Sequence, residues 1–428
     1  MGKKAVKFGG TSLCDAAQMK KAAEIVRADK ERQIIVVSAP GKRMRDDEKI
    51  TDMLFRMQKT NDIAKRKEIF HAVAERFDSM IEALLLPLDF SEEYRYITEE
   101  ASGDFLISRG EYFCARIFAA LLGFDFIDAK DMIFFEENGA VDTEKIRKAF
   151  QKIRNPYAVI PGFYGAMPNG ELKLFPRGGS DITGAIVADA IDAELYENFT
   201  DVSGFLLADP HIVEFPKTVS SLSYSELRRL SSMGACVLHA DAILPLYEKK
   251  IPVMIRNTNE PKGNYTQIVP SKKERTVSGI VGQKGYTLFS VSRAGIGENI
   301  ADFKRLLSLF ERYTAFVYST PRTVDACGIL VRSEEIQAHK ENILKEIYRD
   351  FYAETVLLKE NMALVSVIGE GMASDHIKII LQTMETLAIE LYLLDGGADT
   401  LGITVGFDEK YLQTLIAFLY ERLTDRPH

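Results

Sequence analysis

The chain has 428 residues, 46% of them hydrophobic and 27% charged, and a formal net charge of -8. That is globular composition, too long for one ordinary core, so two or three domains are expected. The acidic balance argues against a nucleic-acid surface and suits a soluble enzyme of anionic or small polar substrates. Cys14, Cys114, Cys236 and Cys327 are scattered with no CxxC pair, so neither a zinc site nor a disulfide framework follows, and a reducing cytoplasm is the natural setting. The N-terminus does not read as a signal peptide, and no apolar stretch approaches the length of a membrane span.

Val6 to Ser12 reads as a short strand running into the pair Gly9-Gly10, with a helix expected from about Asp15 to Asp29. Glycines at a strand-to-helix turn let backbone N–H groups face a ligand, the helix start adds positive dipole, and Lys7 adds a mobile charge. A phosphate cradle and an ordinary tight turn both fit. Gln33–Val37 is an apolar run suited to a buried parallel strand. A long helical tract covers roughly 50–86, a further helix 111–122, and short strands 124–127 and 157–160. Residues 180–191 are expected as a helix and 194–199 as a strand. This alternation argues for an α/β domain around a mainly parallel sheet covered by helices.

Pro261, Gly263, Pro270 and the charges at 272–275 mark a linker over 260–275. Beyond it lies an internal repeat. Leu288–Val291 with Gly295-Ile296 matches Leu364–Val367 with Gly371-Met372, and Asp325, Gly328-Ile329 and Val331 match Asp399, Gly402-Ile403 and Val405, the second copy being shorter by about two residues. Each copy reads strand, glycine loop, helix, strand, turn, strand, helix, which suggests a pseudo-symmetric pair of α+β modules.

The GxxxxGK[ST] P-loop, the full dinucleotide fingerprint, the protein-kinase motif set and HExxH are all missing. What remains is a set of polar clusters at strand ends, where open α/β sheets bind ligands. Arg177-Gly178-Gly179-Ser180-Asp181 offers backbone donors, a guanidinium fork and a carboxylate at a helix start, though Ser180 or Asp181 could simply cap the helix. Thr200-Asp201 follows a strand, with Asp209 close behind, and an Asx turn explains either aspartate equally. Glu111, in Ser108-Arg109-Gly110-Glu111, reads as a helix-start acid complementing the dipole or as a partner for a substrate ammonium. His239 reads as a packing histidine.

Taken together these segments resemble the aspartate kinases of the amino-acid kinase family. VKFGGTS at 6–12, VVSAPGK at 36–42, SRGE at 108–111, IPGFYGAMPNGELKLFPRGGSD at 160–181, TDVSGFLLADPHIV at 200–213 and MGACVLH at 233–239 occur in the family's order, and the repeat resembles tandem ACT modules. The resemblance implies a catalytic domain over 1–268 and a regulatory region over 269–428. Two ferredoxin-like modules are placed at about 285–356 and 359–428, with a strand near 276–284 available to complete the second. It implies ATP-dependent phosphorylation of the side-chain carboxylate of L-aspartate to 4-phospho-L-aspartate, the first step toward lysine, threonine and methionine, with Mg²⁺ on the ATP phosphates.

By motif, Lys7 would stabilise the transferring phosphoryl group, Gly9 and Gly10 would cradle it with Ser12 at the same turn, and Asp181 would orient the lysine. Arg177 would clamp the substrate α-carboxylate and Glu111 would pair with its ammonium. Ser38, Thr51 and Ser180 would complete the aspartate pocket, and Thr200, Asp201, Leu206, Asp209, His211 and Cys236 would lie along the nucleotide.

Leu206, His211 and Cys236 stand where many relatives have tyrosine, arginine and lysine. Loss of the two cations is expected to weaken nucleotide binding by roughly 1–3 kcal/mol per charged contact, unless Lys173 or Arg256 substitutes. A weak or inactive homologue acting as an amino-acid-binding regulatory subunit is the alternative. A kinase of acetylglutamate, glutamate, carbamate or a nucleotide monophosphate is a third reading. For the feedback amino acid, lysine and/or threonine, the candidates are Arg293, Gly295, Gly297, Asn299, Thr323 and Asp325. ACT pairing implies a homodimer or dimer of dimers. No nucleic-acid or membrane partner is expected, nor a fused homoserine dehydrogenase.

Overall fold

The computed structural model describes residues 3–424 except 177, 235–237, 239, 273–275, 315, 373 and 397–400. Two compact units emerge, the first comprising residues 1–205, 218–228 and 236–272 and the second 206–217, 229–235 and 273–428.

The first unit carries the strands β1 (Lys4–Phe8), β2 (Arg32–Val37), β3 (Asp125–Phe126), β4 (Ala158–Pro161), β5 (Tyr164–Ala166), β6 (Leu172–Leu174), β7 (Leu195–Thr200), β8 (Ser221–Ser223), β9 (Val253–Asn257) and β10 (Tyr265–Val269). Apart from the hairpin β5–β6, they form one sheet in the order β3-β4-β2-β1-β7-β9-β10-β8. Every neighbouring pair is parallel except β9–β10. The expected mainly parallel sheet is therefore present.

The apolar runs Ile34–Val37 in β2 and Ala158–Pro161 in β4 follow from burial on both faces. Val6, Phe8, Ile35, Val37, Val159 and Phe199 enter a core shared with the helices Ala16–Arg27 and Gly103–Leu122. Phe8 stacks on Phe199 with ring centroids 5.1 Å apart. The helix Gly179–Ala190 contacts β1, β2 and β7.

Several local expectations are corrected. The tract 50–86 is two helices, Ile50–Gln58 and Ile63–Ala83, because Asp62 caps the second by accepting from Ala64 N and Lys65 N. The helix expected to begin at Glu111 begins at Gly103, so Glu111 lies beyond its second turn and does not complement its N-terminus. The supposed linker over 260–275 contains β10, a short strand between Pro261 and Pro270 that buries Thr266 and Ile268.

The second unit holds β11 (Gly279–Ser292), β12 (Ala326–Arg332), β13 (Thr355–Ile368), β14 (Leu393–Asp395) and β15 (Gly402–Asp408) in the antiparallel order β12-β11-β13-β15-β14. β11 and β13 pair along their lengths with register shifts around Gly285, so each long strand serves both copies of the repeat. One core gathers Phe289, Val291, Phe310, Ile329 and Ile347; the other gathers Ile280, Val365, Ile403, Leu415 and Ile416. These are the two ferredoxin-like α+β modules that the repeat announced. Among the described residues no helix is long and apolar enough to cross a membrane.

Candidate active site

Side chains alternate between the faces of a strand. With Val6 and Phe8 committed to one core, Lys7 points to the opposite face, in register with Asn198 of β7. The helix Gly179–Ala190 covers that face and carries Asp181 in its first turn. Lys7 Nζ lies 2.7 Å from Asp181 Oδ1, and Asn198 Nδ2 donates to the same oxygen at 2.8 Å. Lys7 is only 7% exposed, so its charge acts in a partly desolvated setting where Coulomb interactions strengthen.

Beyond β1 the chain turns against the turn that follows β2. Gly9 N donates to Phe199 O (2.9 Å), Ser38 N to Phe8 O (3.2 Å) and Gly41 N to Gly10 O (2.8 Å). A Cβ on Gly10 would lie 2.7 Å from Ala39 O; glycine stands there because the two turns touch. The helix expected from about Asp15 starts at Ala16, after a 3₁₀ turn Thr11–Leu13, and Asp15 accepts from Gln18 N to cap it. The carboxylate of Asp15 therefore meets the positive helix end itself, and the cradle rests on the glycine turn and Lys7.

Glu111 is 4% exposed, and its Oε2 has no hydrogen-bond partner. Burial pushes its pKa up to about 8, against the pull of a hydrogen bond with the Ala39 backbone and the nearby Arg109 charge. Arg109 itself lies between the rings of Phe105 and Tyr112, 4.2 Å from each centroid.

A cleft of ≈ 1270 Å³ is lined by Lys7, Gly9, Gly10, Ser38, Thr51, Glu111, Ser180, Asp181, Thr200 and Asp201 together. Ser12 lies buried beside it, with its hydroxyl 2.6 Å from that of Thr258. Arg177 and Cys236 lie outside the described residues, as does His239. Leu206, Asp209 and His211 belong to the second unit. There Leu207 N donates to Lys217 O and Ile280 N to Leu207 O, and Ala208 joins the Ile280–Val365 core. Neither cation considered as a substitute is free: Arg256 binds Glu197 and the Pro261 carbonyl, and Lys173 donates to Gly139 O at 3.2 Å.

Asn198, Gly41, Phe163 and the basic residues Lys49, Arg56 and Lys59 complete the arrangement without having been singled out from sequence. A polar residue at the inward position of a buried strand was the available signal for Asn198. Among the described residues no three His, Cys, Asp or Glu side chains form a metal cage. Mg²⁺ carried on phosphates needs only one or two carboxylates, and Asp181 and Asp201 both line the cleft, so the donor set fits a phosphate-borne ion.

In the second unit, Arg293, Gly295, Gly297, Asn299, Thr323 and Asp325 come together. Gly295 N donates to Asp325 Oδ1 at 2.8 Å, Arg293 N to Asp325 O and Gly297 N to Val324 O at 3.0 Å each. Asn299 caps the helix Ile300–Phe310, and Thr323 N donates to Ala326 O at 2.9 Å. Arg293 is paired with Asp302.

The amino acid kinase family model matches residues 3–257. Aspartokinase 3 of Bacillus subtilis is 30% identical, over 98% of either chain. The crystal structure of an aspartate kinase from Clostridium acetobutylicum superposes with a TM-score of 0.90 at 33% identity, covering 100% of both chains. Escherichia coli aspartokinase III shares the fold at a TM-score of 0.78 and 20% identity, over 99% of this chain and 100% of that one. By sequence, fold and the convergence of Lys7, Asp181 and Glu111 on one cleft, the chain belongs to the amino acid kinase family, among its aspartate kinases.

Proposed function

We propose that this cleft transfers the γ-phosphoryl group of ATP to the side-chain carboxylate of L-aspartate, giving 4-phospho-L-aspartate and ADP. One carboxylate oxygen attacks the γ-phosphorus as the bond to the β-phosphate oxygen breaks, and ADP leaves with that electron pair. The acceptor is ionised at neutral pH and needs no general base. The obstacle is bringing an anion to a polyanion, so catalysis consists of positioning and charge neutralisation. Lys7, held by Asp181, meets the charge that develops on the transferring group, and the Gly9–Gly10 turn presents backbone donors. Mg²⁺ would neutralise further charge on the phosphates.

The observation that carries this reading is the unpartnered oxygen of Glu111 in the same cleft as the Lys7–Asp181 pair. A buried carboxyl group with one oxygen unpartnered is costly to ionise, and the α-ammonium of an amino acid removes that cost. The Escherichia coli relative was crystallised with aspartate and ADP, and with lysine and aspartate. By the same reading Ser38, Thr51, Ser180 and Arg177 hold the rest of the aspartate, and Ser12, Thr200, Asp201 and Cys236 serve the nucleotide.

The Clostridium relative is described as allosteric. Feedback control of this chain by lysine and/or threonine at the Arg293–Asp325 loops, with two copies pairing through their ACT modules, belongs to the same proposal, as does a place at the start of lysine and threonine synthesis. The test is ADP release from Mg²⁺-ATP across a panel of acceptors. Turnover with L-aspartate, suppressed by one of the two amino acids, is expected. Turnover with glutamate, acetylglutamate, carbamate or a nucleotide monophosphate instead would replace the acceptor, and silence with all of them would favour a regulatory subunit.

A further inference from the structure

Arg76 lies inside the helix Ile63–Ala83 and is 6% exposed. Its two terminal nitrogens are spent on main-chain carbonyls at opposite ends of one loop: one donates to Glu48 O at 2.8 Å and the other to Gly41 O at 2.7 Å. Its Nε has no partner. The nearest carboxylate, Asp47, stands 3.8 Å away and is engaged by Arg43, whose Nε donates to it at 2.8 Å.

A buried guanidinium held mainly by neutral carbonyls, with one N–H unsatisfied, is a poor way to gain stability. A five-donor fork is nonetheless well suited to fixing two backbone points at a set separation. Both points matter to the cleft. Gly41 N donates to Gly10 O, which ties that end to the glycine turn after β1. Glu48 precedes Lys49 and the helix Ile50–Gln58, which brings Thr51 to the cleft. Arg76 does not itself line the cleft.

We propose that Arg76 is a positioning residue that clamps the two ends of the 41–48 loop and so sets the acceptor wall, around Thr51, against the phosphate turn at Gly10. The proposal rests on the kinase reading above. The clamp acts chiefly on the acceptor side, because its Glu48 end leads straight into the helix that carries Thr51, whereas its Gly41 end meets the phosphate turn through a main-chain hydrogen bond that Arg76 does not make. Misplacement of an acceptor by about 1 Å is enough to cost on the order of 10²-fold in rate.

The experiment compares wild type, Arg76→Lys, Arg76→Met and Arg43→Gln by steady-state kinetics, varying aspartate and ATP separately, and by hydrogen exchange over residues 42–49. Arg76→Lys keeps the charge but is shorter and lacks the planar fork that spans both carbonyls, and it covers the case in which Arg76→Met does not fold. A rise of about tenfold or more in KM for aspartate is expected, with KM for ATP within about twofold and faster exchange confined to the loop. Arg43→Gln, which leaves both carbonyl clamps in place, is expected to move neither constant by more than about twofold. Equal rises in both KM values, or wild-type kinetics in Arg76→Lys with unchanged exchange, would overturn the proposal. Absence of turnover in the wild type would instead contradict the kinase reading, and the clamp would then be judged by the exchange of residues 42–49, unchanged protection overturning it.

Discussion

Lys7 Nζ and Asp181 Oδ1 are 2.7 Å apart, although the two residues come from a central strand and from the first turn of a helix far along the chain. The pairing is a consequence of strand alternation: Val6 and Phe8 are drawn into one core, and Lys7 has only the helix-covered face left. If Lys7 meets the transferring phosphoryl group, Lys7→Met lowers kcat by about 10²–10³-fold in a protein that keeps its folded circular dichroism spectrum but unfolds more easily, because Asp181 loses its ion-pair partner. Asp181→Asn is expected to cost less, since the lysine remains. Steady-state kinetics checks both, and a Lys7→Met enzyme altered only in KM would contradict the role.

Glu111 predicts a pH signature. Its folded pKa is raised from 4.5 to about 8 by burial, so the empty site keeps the proton through neutral pH. Its contribution to stability is complete below the unfolded value and is lost as pH rises through about 8. Pairing with a substrate ammonium needs the carboxylate, so aspartate binding releases a proton. KM for aspartate is therefore expected to fall about tenfold per pH unit between roughly pH 6 and 7.5. Glu111→Gln should flatten that slope and raise KM throughout. A KM independent of pH in the wild type would contradict the assignment.

Gly10→Ala tests the touching turns. The added Cβ would lie 2.7 Å from Ala39 O and 3.1 Å from Gly41 N, main-chain atoms that cannot rotate away. A cost of about 1–3 kcal/mol is expected, read as a lower denaturant midpoint, together with a loss of turnover larger than that destabilisation explains. Unchanged stability would mean that the two turns separate freely.

Glu197→Gln tests the electrostatic centre of the sheet. Glu197 is 1% exposed; its Oε2 accepts from Arg32 Nε at 2.6 Å and its Oε1 from Arg256 at 2.9 Å. Removing the shared carboxylate charge leaves two arginines facing each other across β7. A loss of about 3–5 kcal/mol is expected in chemical unfolding, and a change below about 1 kcal/mol would show that water or rearrangement replaces the carboxylate.

Legibility tracked how local the physics was. The strand into Gly9-Gly10, the helix opened by Gly179 and the paired modules are written in short patterns of apolar spacing and glycine, and the structure carries them. Asn198 was hidden because its partner is set by register with Lys7 rather than by neighbours in sequence. Arg76 was hidden because an arginine on an amphipathic helix ordinarily reads as exposed, whereas its burial depends on where the 41–48 loop ends lie. The helix start at Gly103 was missed because residues 103–110 lack an apolar stripe strong enough to stand out. The affiliation of residues 206–217 with the second unit comes from Leu207 and Ala208 joining the Ile280 strand and core, a tertiary choice with no local signature.

The central claim is that the cleft makes an acyl phosphate on aspartate. Its most direct test is trapping with hydroxylamine after incubation with Mg²⁺-ATP and L-aspartate, in wild type and Lys7→Met side by side. The account predicts that wild type forms aspartyl hydroxamate and that Lys7→Met forms at most about a hundredth as much. ATP consumption without hydroxamate, or equal hydroxamate from both proteins, would contradict it.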